Sequence, residues 1–271
     1  MQLILSLFPG IDLLGRGFEE EGFSVIRGPD KIWGGDIRTF HVPAERFDGV
    51  IGGSPCQDFS RKRRTAPTGN GVEMLNEYAR VVTEALPDWF LLENVPTVPD
   101  INIEGYTIQR FDLNARECSL KQSRLRHFQF GSRRGLVLVP ERRKAIGAPE
   151  KICLASEGTL PGRRGWGDFC ELQGLPRNFS LPGMSIEARY KAVGNGVPIP
   201  MARTIARAIR SAHIRSDDVR LCECGCGRIV TGKEKAAKPA CRKRMQRRRD
   251  RVRVTVPGAV TQNPSHFVMR D

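Results

Sequence analysis

The chain has 271 residues, an ordinary apolar content of 39% and a formal net charge of +14, which fits one substantial globular domain with an appendage. No stretch is long and apolar enough to cross a bilayer, and Met1–Gly10 lacks the basic flank and small-residue cleavage site of a secretory signal. Eight cysteines form no secreted disulfide framework, since Cys56, Cys118, Cys153 and Cys170 are scattered while the other four cluster near the end; this suits a reducing, cytoplasmic compartment in which thiols serve chemistry or metal.

In chain order, Leu3–Leu7 is a short apolar run that predicts a buried strand. Phe8-Pro9-Gly10 breaks it, and Ile11, Leu14 and Phe18 then recur at helical spacing up to Gly22. Phe23–Arg27 predicts a second strand, closed by Gly28-Pro29-Asp30, and Phe47–Ile51 another that enters a tight Gly52-Gly53-Ser54-Pro55 turn. Ser60–Gly71 is polar, basic and glycine-bearing, hence a loop. Leu75, Tyr78, Val81, Val82 and Ala85 place an amphipathic helix over Glu73–Leu86, and Trp89–Leu92 is the next strand.

This alternation implies βαβ units, so the predicted fold class is α/β with a doubly wound, mostly parallel sheet. The signal then turns β-rich at Tyr106–Leu113, His127–Ser132 and Gly135–Val139. Pro140–Gly165 is Gly/Pro-rich and weakly periodic, Gly167–Gln173 predicts a short helix, and Pro200–Ile214 a clear one with Met201, Ile205, Ala208 and Ile209 on its apolar face.

Cys56 follows a strand on a glycine-proline turn, where an open α/β sheet places its chemistry. A small buried thiol is the competing reading, and Cys56 alone does not separate the two. Likewise, the Phe8-Pro9-Gly10 turn between a strand and a helix is a candidate cofactor cradle, with Asp30 placed to hold ribose hydroxyls. Ordinary turn chemistry explains those residues equally well.

The order of motifs is more specific than any one of them. Phe8-Pro9-Gly10, Asp36 in Gly35-Asp36-Ile37, Ser54-Pro55-Cys56-Gln57, Glu93-Asn94-Val95, Gln122-Ser123-Arg124-Leu125-Arg126, Glu171–Pro176 and Gly194-Asn195-Gly196-Val197 follow one another as in the DNA cytosine-5 methyltransferases, which the chain resembles in a compact, phage-like form. The resemblance implies a Rossmann-like methyltransferase fold, S-adenosylmethionine as cofactor and double-stranded DNA as partner, in a bacterial or phage-infected cell; the sequence does not fix the oligomeric state, and a monomer is favoured. It implies Cys56 as the nucleophile that adds to cytosine C6, Glu93 as the acid at N3, and Arg126 at the ring O2 with Arg124 in support. Nearby positive charge is expected to favour the Cys56 thiolate. Phe8, Gly10, Ile11, Asp30, Asp36, Ile37, Gly53, Pro55, Asn195 and Val197 are expected around the cofactor. Gln57 and the basic loop Arg61, Lys62, Arg63 and Arg64 are expected against a flipped-out base and its phosphates.

On this reading 1–139 is the catalytic and cofactor-binding domain, 140–184 a small irregular target-recognition region, 185–214 the return to the catalytic domain, and 215–271 a basic, zinc-ribbon-like tail. Two departures from the family pattern stand out. Ser6 occupies a position where an acid is usual, and Asp12-Leu13 stands where paired glycines are usual. Only about 25 residues separate Pro140 from Trp166, too few for a base-reading lobe, so a short or relaxed target preference is expected.

From Arg215 onward the chain holds 15 Lys/Arg against six Asp/Glu, the composition of a polyanion-binding segment. Arg242, Lys243, Arg244, Arg247 and Arg248 are its candidate phosphate contacts. Cys222, Cys224, Cys226 and Cys241 offer four thiols, enough for a tetrahedral zinc site. Two competing readings remain at this level: a catalytically silent relative that binds DNA through the tail, and a nucleotide-dependent oxidoreductase with a redox cysteine, which leaves Glu93 and the arginine pair unused.

Overall fold

The computed structural model describes residues 1–60, 66–145, 147–214, 220–224, 229–230, 233–236 and 239–254. Its body runs β1 (Leu3–Leu7), α1 (Leu13–Glu19), β2 (Ser24–Arg27), β3 (Gly49–Gly53), α2 (Asn70–Ala85), β4 (Trp89–Asn94), β5 (Thr107–Asn114), β6 (Leu125–Ser132), β7 (Leu136–Val137), α3 (Trp166–Leu172), α4 (Ile186–Asn195), α5 (Ile199–Arg210) and β8 (His213–Ile214). The tail adds β9 (Arg220–Leu221), β10 (Ile229–Val230) and α6 (Pro239–Val254).

Six strands form one sheet in the order β2-β1-β3-β4-β6-β5. The first four are mutually parallel, and β6 runs antiparallel to both β4 and β5. Side chains alternate between the faces as a pleated strand requires. Ile4, Ile51, Trp89 and Leu91 join α1 and α5 on one side, while Leu5, Leu7, Val50, Phe90 and Leu92 join α2 on the other. The expected α/β class with helices on both faces is what forms. Burying Met201, Ala202, Ile205 and Ala206 of α5 completely contributes roughly 1.5–3 kcal/mol for each large side chain. α1 and α5 approach so closely that a Cβ on Gly17 would lie 2.4 Å from the Ala202 Cβ.

A smaller apolar cluster joins α3 and α4 to Leu13, through Phe169, Leu172, Tyr190 and Val193. Helix α4 is absent from the periodicity reading because Tyr190, Val193 and Gly194 are its only buried residues. Its start was nonetheless signalled: Ser185 caps it by accepting from the Ala188 N–H, the usual N-cap bond. α5 ends at Arg210, short of the predicted Ile214, because His213–Ile214 pairs instead with Leu136–Val137.

Gly52 and Gly53, read from the sequence as a turn, belong to β3 and pair with Leu92 and Glu93. Close approach explains them better than turn geometry does. A Cβ on Gly52 would lie 2.7 Å from the Leu7 carbonyl oxygen, and one on Gly53 2.7 Å from Glu93 Oε2.

Candidate functional site

The carboxyl ends of β1, β3 and β4 open into one cavity of about 480 Å³. The turn after β1 is held in an uncommon backbone conformation, with Phe8 at φ 52° and Gly10 at φ 56°. A phenylalanine in the left-handed region is strained and persists only where its surroundings enforce it. Asp30, at the end of the segment after β2, supplies that enforcement: its Oδ2 accepts from the Gly10 N–H at 2.8 Å and its Oδ1 from the Ile32 N–H at 2.9 Å. Trp33 Nε1 donates to the Gly10 carbonyl at 3.0 Å.

Asp12 is nearly inaccessible, at 2% exposure. Its Oδ1 accepts from Ser6 Oγ at 2.8 Å and from the Gly15 N–H at 2.9 Å, and Oδ2 lies 3.0 Å from Arg27 Nε. Burial, set against those hydrogen bonds and Arg27, leaves its carboxyl above the usual value. The two departures noted in the sequence are thus partners: the Ser6 hydroxyl donates to the Asp12 carboxylate, which caps α1.

At the end of β3, Cys56 opens the short 3-10 turn Gln57–Phe59. Asn94 fixes this turn from the neighbouring strand, its Nδ2 donating to both the carbonyl and the hydroxyl oxygen of Ser54 at 3.0 Å. No role for Asn94 was read from the sequence. Its only signal there was its place between Glu93 and Val95.

Glu93 is 8% exposed, and its Oε1 lies 2.9 Å from Arg126 Nε. Burial pushes the Glu93 carboxyl up, and Arg126 and then Arg124 only partly reverse it. The Cys56 thiol is likewise raised, first by burial and then by the charge of Glu93. This corrects the expectation of a favoured thiolate: Arg126 and Arg124 do pull the thiol down, but burial and the adjacent carboxylate outweigh them.

All ten residues expected around the cofactor line the cavity: Phe8, Gly10, Ile11, Asp30, Asp36, Ile37, Gly53, Pro55, Asn195 and Val197. Cys56, Gln57, Glu93 and Arg126 line it too, as do Lys31, Ile32, Asn70, Met74 and Lys191, which the sequence reading missed. Asp36 sits at the exposed rim, where Arg38 holds its carboxyl below the usual range.

Arg124 is a correction. It is 2% exposed and does not line the cavity. Its guanidinium donates instead to the carbonyls of Cys153 at 3.0 Å, Gly194 at 2.9 Å and Gly196 at 3.1 Å. It ties β6 to α4 and to the segment before α3, and so acts behind Arg126. Burial and then Arg126 pull its pKa down to about 9.

Arg61, Lys62, Arg63 and Arg64, expected against the DNA, and Cys226, expected among the zinc ligands, lie outside the described residues, as does the side chain of Arg248. Asp58 joins the segment before the basic stretch to the one after it, accepting from the Thr68 N–H at 3.0 Å and the Gly71 N–H at 2.8 Å. In the tail the sulfurs of Cys222, Cys224 and Cys241 lie within 4.8 Å of one another, and all three are buried. Arg242, Lys243 and Arg247 are exposed on α6. Arg244 departs from the expected phosphate contact, since its Nη1 turns inward, 3.1 Å from Asp112 Oδ2 and 3.8 Å from Cys224 Sγ.

Residues 30–155 match the family model of the C-5 cytosine-specific DNA methylases. A type II methylase of Herpetosiphon aurantiacus, M.HgiDII, is 24% identical over 172 residues, covering 50% of this chain and 48% of that protein. The type II methyltransferase M.MthTI of Methanothermobacter thermautotrophicus is 31% identical over 194 residues, covering 58% and 57%. The solved structure of the Entamoeba histolytica methyltransferase EhMeth superposes with a TM-score of 0.59 at 11% identity, over 78% of this chain and 98% of that one. The chain spans about half the length of the curated relatives it matches.

Proposed function

We propose that this chain is a member of the cytosine-5 DNA methylase family and transfers a methyl group from S-adenosylmethionine to C5 of a cytosine flipped out of double-stranded DNA. The observation that carries the reading is the convergence of Cys56, Glu93 and Arg126 on the same cavity as the ten residues expected around the cofactor. That cavity has the volume of a cofactor site. Gly10 offers it bare backbone, since a Cβ there would meet only Ile32 Cδ1, at 3.8 Å. Phe8 offers a ring face for the adenine, Asp30 and Asp36 carboxylate oxygens for hydroxyl and amino groups, and Asn195 and Val197 close the far wall. When bound, S-adenosylmethionine supplies an electrophilic methyl group.

The chain's own residues prepare the cytosine. Cys56 gives its proton to solvent and its sulfur bonds to C6, which places the electron pair of the C5–C6 double bond at C5, ready to take the methyl group. Addition is easiest when N3 takes up a proton, and a carboxyl raised by burial is suited to hold one for that purpose. Its transfer to N3 leaves the Glu93 anion beside Arg126, which stabilises it. Arg126 Nε keeps the carboxyl in place and Nη1 donates to the Leu125 carbonyl at 2.9 Å, which leaves Nη2 for the ring O2. Once C5 has taken the methyl group, its proton passes to solvent, N3 returns its proton to Glu93, and the C5–C6 double bond re-forms as the Cys56 thiolate departs.

Because the segment between Pro140 and Trp166 is short, target preference is relaxed and DNA is held largely through phosphates. The tail supplies part of that grip through Arg242, Lys243 and Arg247. Its clustered thiols, soft donors at zinc-like spacing, take a structural zinc ion. The test is covalent trapping: a duplex containing 5-fluorocytosine, incubated with chain and cofactor, yields a stable adduct with the wild type and none with Cys56→Ser. A wild-type chain that binds the cofactor but never forms the adduct would instead be the silent DNA-binding relative.

A further inference from the structure

We infer that Arg244 keys the tail's thiol centre to the catalytic body, so that zinc loading fixes the basic helix α6 against β5 and β6. This rests on reading the thiol cluster as a zinc site.

The geometry is a chain of contacts across the two parts. Arg244 Nη1 lies 3.8 Å from Cys224 Sγ and 3.1 Å from Asp112 Oδ2. The other Asp112 oxygen is 2.7 Å from His127 Nδ1, and Arg142 Nη2 donates to the Asp112 carbonyl at 2.9 Å. Asp112 and His127 are register partners on β5 and β6, and His127 also pairs with Asn94, the neighbour of Glu93 on β4. The clamp therefore bears on the strand pair that carries Arg126.

Charge gives the contact its dependence on metal. Thiols that ligate zinc surrender their protons to solvent, so three or four thiolates around one dication leave a net anion. A guanidinium within hydrogen-bond reach of a ligand sulfur compensates that anion and at the same time pairs with Asp112. The neutral thiols of the metal-free tail hold Arg244 less well.

α6 needs such an anchor. Pro239, Ala240, Cys241 and Met245 are the apolar residues of its first two turns, the rest being cationic or polar. An isolated helix of 16 residues without an apolar stripe is marginal in water. Cys241 and Met245 seat it in the cysteine cluster, and Arg244 joins it to the body.

The test uses the full chain, loaded with stoichiometric Zn²⁺ or stripped by a chelator, and reads zinc content alongside hydrogen exchange across 239–254. The loaded wild type protects α6 and the stripped chain does not. Asp112→Asn, which keeps the side-chain shape but removes the charge, retains its zinc and loses about tenfold or more in α6 protection. Arg244→Gln, which leaves Asp112 and His127 together, does the same and guards against a local folding defect. A loaded Asp112→Asn chain with wild-type protection overturns the clamp while leaving the zinc reading intact. A wild type that binds no zinc overturns both. Neither readout depends on methyl transfer, so the outcome is independent of whether the chain is an active methyltransferase.

Discussion

Gly53→Ala is the sharpest probe of the active-site reading. The added methyl carbon would stand 2.7 Å from Glu93 Oε2, whereas carbon and oxygen rest comfortably only some 0.5 Å or more further apart. Glu93 cannot simply yield, because its other oxygen is held 2.9 Å from Arg126 Nε and its backbone is locked opposite residue 53 and Phe128. The carboxyl must leave its rotamer or the ion pair must stretch, at about 1–3 kcal/mol of stability. In a chain of this size that is a fall of roughly 2–4 °C in Tm per kcal/mol, so the variant remains folded at room temperature. A carboxyl displaced by a fraction of an ångström lowers the rate of adduct formation on the 5-fluorocytosine duplex by on the order of 10²-fold. Cofactor affinity, measured by calorimetry, falls far less. A folded Gly53→Ala chain that traps the duplex at the wild-type rate would refute the assignment of Glu93 as the acid at N3.

Three further variants test other parts of the site. Glu93→Gln removes the carboxylate charge that helps hold the Cys56 thiol up, so the thiol pKa falls and alkylation of Cys56 by iodoacetamide at pH 8 accelerates, by up to about tenfold for one unit. Mass spectrometry of the Cys56 peptide reads this, and a slower reaction contradicts it. Asn94→Ala leaves the buried Ser54 turn without two hydrogen bonds and costs about 1–3 kcal/mol in denaturant unfolding; methyl transfer slows more than cofactor binding weakens. Arg124→Ala strands the Cys153 and Gly194 carbonyls, Gly196 keeping the Gln173 amide, and costs about 1–3 kcal/mol for each group left unpaired, so a thermal melt unchanged from wild type would show that the guanidinium is not the tie it is taken to be.

Much of the frame was legible from pattern alone. Leu3–Leu7 and the strand beginning at Trp89 are apolar runs bounded by breakers, and helix α2 announces itself through its single buried stripe. The site was legible for a different reason: Phe8-Pro9-Gly10, Ser54–Gln57 and Glu93-Asn94-Val95 lie at or just after the carboxyl ends of β1, β3 and β4, which a parallel sheet gathers at one edge, and Arg126 joins them from the amino end of antiparallel β6. Charge balance was not legible. Whether two arginines or burial decides the state of Cys56 depends on depth, and depth follows from tertiary packing that neighbouring letters do not encode. Arg124 and Arg126 stand two apart where β6 begins, yet one spends its donors on distant carbonyls and the other meets Glu93. Arg244 reads as one more cation in a run, and only folding reveals that it faces inward.

The tight seating of α1 on α5, with Gly17 against Ala202, has a consequence for biosynthesis. The helix that seals this side of the sheet is Ile199–Arg210, so a nascent chain leaving the ribosome carries Phe18, Trp89 and Leu91 uncovered until that late segment emerges. Such long-range closure slows folding and leaves sticky intermediates, and the newborn protein is expected to need shelter by chaperones until its last body helix arrives.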